Sequence, residues 1–195
     1  MNRPAMPNAY LRILAPLALL MGCSEPPPLE GAAIGGPFTL VNTSGETVRW
    51  ADFDGKWRMV YFGYAYCPDV CPFDVQRMVQ GYNAFKAAKP ELAADVVPIF
   101  ITIDPERDTP AVVQEFTSAF SDDLVGLTGT PEQIKEAAGN FVVYYEKGEE
   151  TSAGGYMMDH TRAAYLMDRQ GKPIALLPVD ENAASVTAEL EKWVS

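Results

Sequence analysis

The chain has 195 residues, 48% of them hydrophobic, enough to bury one core and carry an appendage. Lysine and arginine total 15 against 26 acidic residues, a formal net charge of −11, which argues against nucleic-acid binding because that depends on neutralising phosphates. There is no GxxxxGK phosphate loop, no GxSxG nucleophile elbow and no internal repeat.

Residues 1–22 read as an export signal. Arg3 and Arg12 precede an apolar run from Ile13 to Gly22, broken by Pro16. That run is too short to cross a bilayer, which takes about 20 residues. It ends Leu20-Met21-Gly22-Cys23, which resembles the signal of bacterial lipoproteins, so Cys23 is the expected lipidation site. An ordinary cleaved signal or a short uncleaved anchor are the alternatives. Lipid on Cys23 leaves Cys67 and Cys71 as a pair with no cysteine over. A chain starting there loses two basic residues and no acid, deepening the net charge from −11 to −13. Residues 23–36 hold Pro26, Pro27 and Pro28, then Gly31, Gly35 and Gly36, with no apolar period, and read as a tether. Residues 37–195 form the expected domain.

Within it, Phe38–Val41 and Glu46–Arg49 predict a hairpin turning at Asn42–Gly45, and Asp54-Gly55-Lys56 a turn. Met59 to Phe62 predicts a buried strand that empties into Tyr64-Ala65-Tyr66-Cys67-Pro68-Asp69-Val70-Cys71-Pro72. Pro72 suits the first position of a helix, which makes Cys71 the expected N-cap and puts Cys67 in the turn. Val75, Met78, Val79, Tyr82 and Phe85 carry the helical period to Ala88. Val96 to Ile103 predicts a strand buried on both faces, then a charged loop, Asp104 to Asp108. Thr109-Pro110 and Thr130-Pro131 with Gln133 open two helices, with a short strand near Leu124–Leu127 between them. Phe141–Tyr145 is the next expected strand, followed by an exposed loop over Glu146–Gly155. Ala163–Met167 and Ile174–Leu177 predict a hairpin, and Ser185–Val194 a last helix. This order predicts an α/β thioredoxin-like fold, a central mixed sheet flanked by helices, with the N-terminal β-hairpin. Cysteines at the C-terminal end of its central strand would lie where ligands favour open α/β sheets.

Both sulfurs then sit near a helix N-terminus, where the N–H groups and the macrodipole favour thiolate. His160 is the only histidine, between Asp159 and Thr161. Two thiolates and one imidazole form a soft three-donor set that suits Cu(I); imidazole also suits Cu(II), and water would complete a zinc site. A redox pair competes, although thiol oxidoreductases space their cysteines by two residues rather than three. A structural disulfide is the plain alternative, but so short a loop would stabilise little. A peroxidatic cysteine lacks a threonine in Tyr64-Ala65-Tyr66. Asp159 can orient the imidazole or face solvent. Of Met157 and Met158, strand alternation puts one in the core and offers the other as a soft donor. Arg107 is expected to pair locally and shape its loop, or to dock a partner.

From about Gly36 to Leu166 the sequence resembles the Sco/SenC family, copper-handling assembly factors of cytochrome c oxidase. The motifs are Phe62–Pro72, Ile103-Asp104-Pro105-Glu106-Arg107-Asp108-Thr109-Pro110, Gly126-Leu127-Thr128-Gly129 and Tyr156-Met157-Met158-Asp159-His160-Thr161. The resemblance implies a thioredoxin-like fold, tethered to a membrane and facing the bacterial periplasm. It implies one copper ion held by Cys67, Cys71 and His160, whether Cu(I) or Cu(II). Cytochrome c oxidase subunit II is the implied partner, for assembly of its dinuclear copper centre, with another periplasmic copper chaperone as donor. Some members are thought to reduce that subunit's cysteines, which would make Cys67 and Cys71 a redox pair; a copper or redox sensor is a further reading. Turnover catalysis is not expected beyond such thiol–disulfide exchange. Ala65 stands where the family usually has Thr, and Thr161 where Ser is usual.

Overall fold

A computed structural model describes residues 25–150 and 155–195. The expected signal at residues 1–22 and the expected lipidation site Cys23 lie outside the described residues.

The centre of the molecule is β3 (Trp57–Gly63), every residue of which is buried. Its near-continuous apolar run is what a strand covered on both faces requires. The exception is Arg58, whose guanidinium lies 4.3 Å from the Trp50 ring, bonds Asp54 at 3.0 Å and reaches the Asp168 carbonyl at 3.2 Å. β4 (Val96–Thr102) runs parallel to β3, and β5 (Val125–Thr128) parallel to β4. On the other side β8 (Ala164–Met167) pairs antiparallel with β3, and β9 (Pro173–Leu177) with β8. The N-terminal hairpin of β1 (Thr39–Asn42) and β2 (Thr47–Arg49) extends this sheet, because Val41 and Asn42 pair with Thr128 and Leu127. The full order is β2-β1-β5-β4-β3-β8-β9, a mixed sheet with parallel strands at its centre.

Five helices complete this thioredoxin-like fold: α1 (Val70–Ala88), the short α2 (Pro90–Ala93), α3 (Pro110–Ser118), α4 (Pro131–Asn140) and α5 (Ala183–Trp193). The Thr109 and Thr130 hydroxyls accept from Val112 N–H and Gln133 N–H, so both Thr-Pro helix starts are as expected, and Gln133 closes the second capping box. Among the described residues no helix is long and apolar enough to cross a membrane.

Three expectations are corrected. First, α1 begins at Val70 with Asp69 as N-cap, so Cys71 is inside the first turn rather than the cap. Pro72 is tolerated there because the first-turn N–H groups have no intrahelical acceptor. Second, Phe141–Tyr145 is not a strand. Val142 N–H bonds the Gly139 carbonyl and Val143 N–H the Ala138 carbonyl, a Schellman ending to α4, with Val142 at φ 56°. The strand that follows is β6 (Tyr145–Lys147), paired antiparallel with β7 (Met158–His160) in a separate two-stranded ribbon. Third, part of the segment read as a tether lies against the domain: Leu29 N–H bonds the Ile174 carbonyl, Gly35 N–H bonds that of Asn140, and Leu29 and Ile34 pack on the core.

A β-branched residue is strained in the left-handed region that closes α4. Val142 is exposed, so little packing offsets this. Val142→Gly is therefore expected to raise the unfolding free energy in urea by about 1 kcal/mol; a lower midpoint would mean the valine is held by packing.

Candidate metal centre

β3 delivers the chain to the cysteine turn. A Cβ on Gly63 would fall 2.8 Å from the Tyr61 ring and 3.2 Å from Cys71 Sγ, so glycine is what lets the sulfur pack against the strand end. Cys67 N–H bonds the Tyr64 carbonyl at 3.2 Å, and Cys67 Sγ accepts the Cys71 N–H at 3.4 Å. Both cysteines are buried and free of disulfide. The pair is electrostatically unequal. The Cys67 thiol is brought down to about 5, first by the Cys71 thiol donating to it, then by backbone N–H groups of Cys71 and Asp69 and by the Tyr64 hydroxyl, against the pull of burial. The Cys71 thiol is pushed up by that same bond and by its own burial. The two shifts run in opposite directions, so Cys67 is the sulfur of the pair that ionises more readily.

The ribbon brings His160 to this pair. Nε2 lies 3.4 Å from Cys71 Sγ, and Nδ1 lies 3.0 Å from the Thr161 carbonyl. A carbonyl only accepts, so Nδ1 carries a proton and Nε2 is the ring nitrogen turned toward the sulfur. The Tyr64 ring meets the imidazole nearly edge-on, at 6.0 Å and 86°. Its hydroxyl accepts from Met158 N–H at 3.3 Å and lies 4.0 Å from Met157 Sδ. Met158 is therefore the core methionine and Met157 the exposed one. Asp159 is exposed and leaves Nδ1 to Thr161.

The Asp104–Asp108 loop clamps both halves. The buried Asp108 carboxylate accepts from Ala65 N–H at 2.8 Å, two residues before Cys67, and from Thr102 Oγ1 at 2.6 Å. Arg107 bonds Asp104 at 2.5 Å and the Tyr156 carbonyl at 2.9 Å, with its guanidinium 3.6 Å from the Tyr156 ring; the Tyr156 hydroxyl returns to Asp104 at 2.8 Å. Past β7, Arg162 grips the buried Asp74 of α1 through both carboxylate oxygens, and Asp74 accepts the Tyr61 hydroxyl at 3.1 Å. Arg107 thus shapes its loop as expected. The parts played by Asp108, Tyr64 and Asp74 were missed. Only an acid on the apolar face of α1 hinted at the last. The two motif departures are accommodated: Ala65 is used through its N–H, and Thr161 through its carbonyl and a hydroxyl that accepts from Tyr144 N–H.

Two sulfurs and one imidazole nitrogen are a soft donor set of the kind that suits Cu(I). Among the described residues no three His, Cys, Asp or Glu side chains yet converge on one point as a metal cluster. The contacts run pairwise, Cys67 to Cys71 and Cys71 to His160, so a bound ion would require their side chains to close further.

The family model described as SCO1/SenC matches residues 26–195. Protein SCO1 homolog 1, mitochondrial, from Arabidopsis thaliana is 43% identical over 170 residues, 87% of this chain and 50% of that protein. Protein SenC from Rhodobacter capsulatus is 44% identical over 140 residues, 70% of this chain and 60% of that protein. The chain spans about half the length of the curated relatives it matches. The crystal structure of Arabidopsis thaliana ScoI with copper bound superposes with a TM-score of 0.76 at 38% identity, covering 82% of this chain and 96% of that one.

The unequal thiols set a measurable titration. The ultraviolet thiolate absorbance of the reduced, metal-free protein should show one thiolate gained with a midpoint at about 5 and lost in Cys67→Ser. Two thiols titrating together in the ordinary thiol range would contradict the asymmetry.

Proposed function

Because the chain belongs to the SCO1/SenC family, we propose that it is a copper metallochaperone that carries one copper ion on Cys67, Cys71 and His160. In this reading it supports assembly of the dinuclear copper centre of cytochrome c oxidase subunit II, taking its cargo from another periplasmic copper chaperone. The observation that carries the reading is the placement of His160: its Nε2 lies 3.4 Å from Cys71 Sγ, while Nδ1 is turned away to the Thr161 carbonyl at 3.0 Å. Cys67, whose thiol is shifted down by its neighbours' hydrogen bonds, would give an incoming cation a first soft donor. Cys71 gives up its proton as it joins. Copper in the crystal structure of the Arabidopsis relative supports the choice of metal. Residues 1–22 and a lipid on Cys23 would export the protein and tether it to a membrane facing the periplasm, with the domain from residue 37 onward held outside.

The unequal thiols support a second reading on the same residues, a thiol–disulfide oxidoreductase. The Cys67 thiolate would attack a disulfide of the oxidase subunit, forming a mixed disulfide and releasing one thiolate. Cys71, losing its proton, would then attack Cys67 Sγ and release the second. One disulfide is formed in this chain as one is reduced in the target, and His160 takes no part.

Copper stoichiometry of the reduced protein separates the two. One tightly held copper is expected, lost in Cys67→Ser/Cys71→Ser. Altering residues that only support metal ligands costs about 10–100-fold in affinity, so His160→Ala should weaken copper by more than about 100-fold. Unchanged affinity in His160→Ala would overturn the ligand assignment; disulfide reduction without copper retention would favour the second reading. For the anchor, intact mass of the exported protein should show a diacylglyceryl-modified Cys23 as its first residue. An unmodified N-terminus elsewhere would remove the lipid.

A further inference from the structure

The rim of the site is apolar where a protein surface is ordinarily polar. Among the described residues the exposed large hydrophobic side chains include Tyr66 at 54%, Phe73 at 55%, Tyr144 at 59% and Met157 at 48%. Tyr66 adjoins Cys67 and Phe73 follows Cys71 on the first turn of α1. Met157 leads into β7, and Tyr144 is joined to Thr161 by two hydrogen bonds, its N–H to the hydroxyl at 3.0 Å and its carbonyl to the Thr161 N–H at 2.8 Å. Val142 is two residues from Tyr144, and only Leu176 lies well away in the chain. Exposed apolar side chains gathered around one site in this way offer a surface for a partner.

The same rim carries unneutralised acid. Glu146 and Asp159 stand directly opposite one another across the ribbon, both exposed, with the Tyr144 hydroxyl bonded to Glu146. Like charges in that register weaken a strand pair. The neighbouring cations are already engaged: Lys147 by Glu106 and Glu150, Arg107 by Asp104, Arg162 by Asp74. Among the described residues no salt bridge reaches Glu146, Asp159 or Asp69.

We infer that this collar docks a partner protein that presents its own cysteines or metal site within an apolar patch edged by lysine or arginine. The inference rests on the proposed function and names the chemistry of the surface that receives the cargo. A second copy of this chain fits poorly, because it would bring Glu146 and Asp159 against the same acids. An anionic lipid surface fits poorly for the same reason.

The test uses the soluble domain of the cognate oxidase subunit II as probe, with both proteins reduced and metal-free, so that association is read independently of copper. Calorimetric titration should give saturable one-to-one binding that weakens as salt is raised. Glu146→Lys/Asp159→Lys should weaken it at least about tenfold at low salt, with the difference shrinking at high salt. Phe73→Ser should weaken it at every salt concentration. The control Glu136→Lys/Glu191→Lys makes the same net change on exposed helix positions elsewhere and should leave binding near wild type. Equal effects of the two charge variants, no binding of the wild type, or a wild-type dimer dispersed by Phe73→Ser would each overturn the docking surface. Failure of the wild type to retain copper would count against the chaperone reading alone.

Discussion

A buried carboxylate holds the working end of this molecule together. Asp108 has no exposed surface, and its carboxylate takes the Ala65 amide proton and the Thr102 hydroxyl. Burial raises its pKa despite those bonds, so the fold sustains a cost at this position. What the cost secures is the cysteine turn, fixed to the end of the parallel pair β3–β4. Removing the carboxylate would take the acceptor from the buried Thr102 hydroxyl, a loss of about 1–3 kcal/mol for a buried unpaired group, and free the part-buried Ala65 amide. Arg107, the residue before it, carries the constraint to Tyr156 and hence to the ribbon. One loop therefore sets the spacing between sulfur and imidazole.

Much of the frame is legible from local chemistry. A buried central strand announces itself as an unbroken apolar run, and each Thr-Pro start combines a side-chain cap with a proline that has no amide proton to lose. What stays hidden is decided by distant partners. The Schellman turn at Val142 places a β-branched residue where glycine is usual, and residue preferences alone read that stretch as strand. The start of α1 was misplaced because Pro72 fits both the first and the third helical position. Residues 23–36 have no apolar period, yet Leu29 and Ile34 each pack on the core.

At the site, residue types and spacing pick out Cys67, Cys71 and His160, but say nothing of how the thiols differ or which imidazole nitrogen is protonated. Those depend on hydrogen-bond geometry that only the folded chain sets: Cys71 to Cys67 across the cysteine turn, and Nδ1 to the Thr161 carbonyl. The inequality serves either chemistry. A cation meets a ready thiolate, and a disulfide meets a ready nucleophile, while the second sulfur is held back until the first has reacted.

The ribbon of β6 and β7 pairs only with itself. No ladder bond of the seven-stranded sheet depends on it; side-chain bonds, Arg107 to the Tyr156 carbonyl and Met158 N–H to the Tyr64 hydroxyl, hold it to the domain. Its amides should exchange with solvent on a schedule separate from those of β3. The histidine thus rides on a different strand ladder from the one that ends at the cysteines. Changes at the ribbon's exposed positions can alter how readily three donors meet while leaving every ladder bond of the sheet beneath it in place.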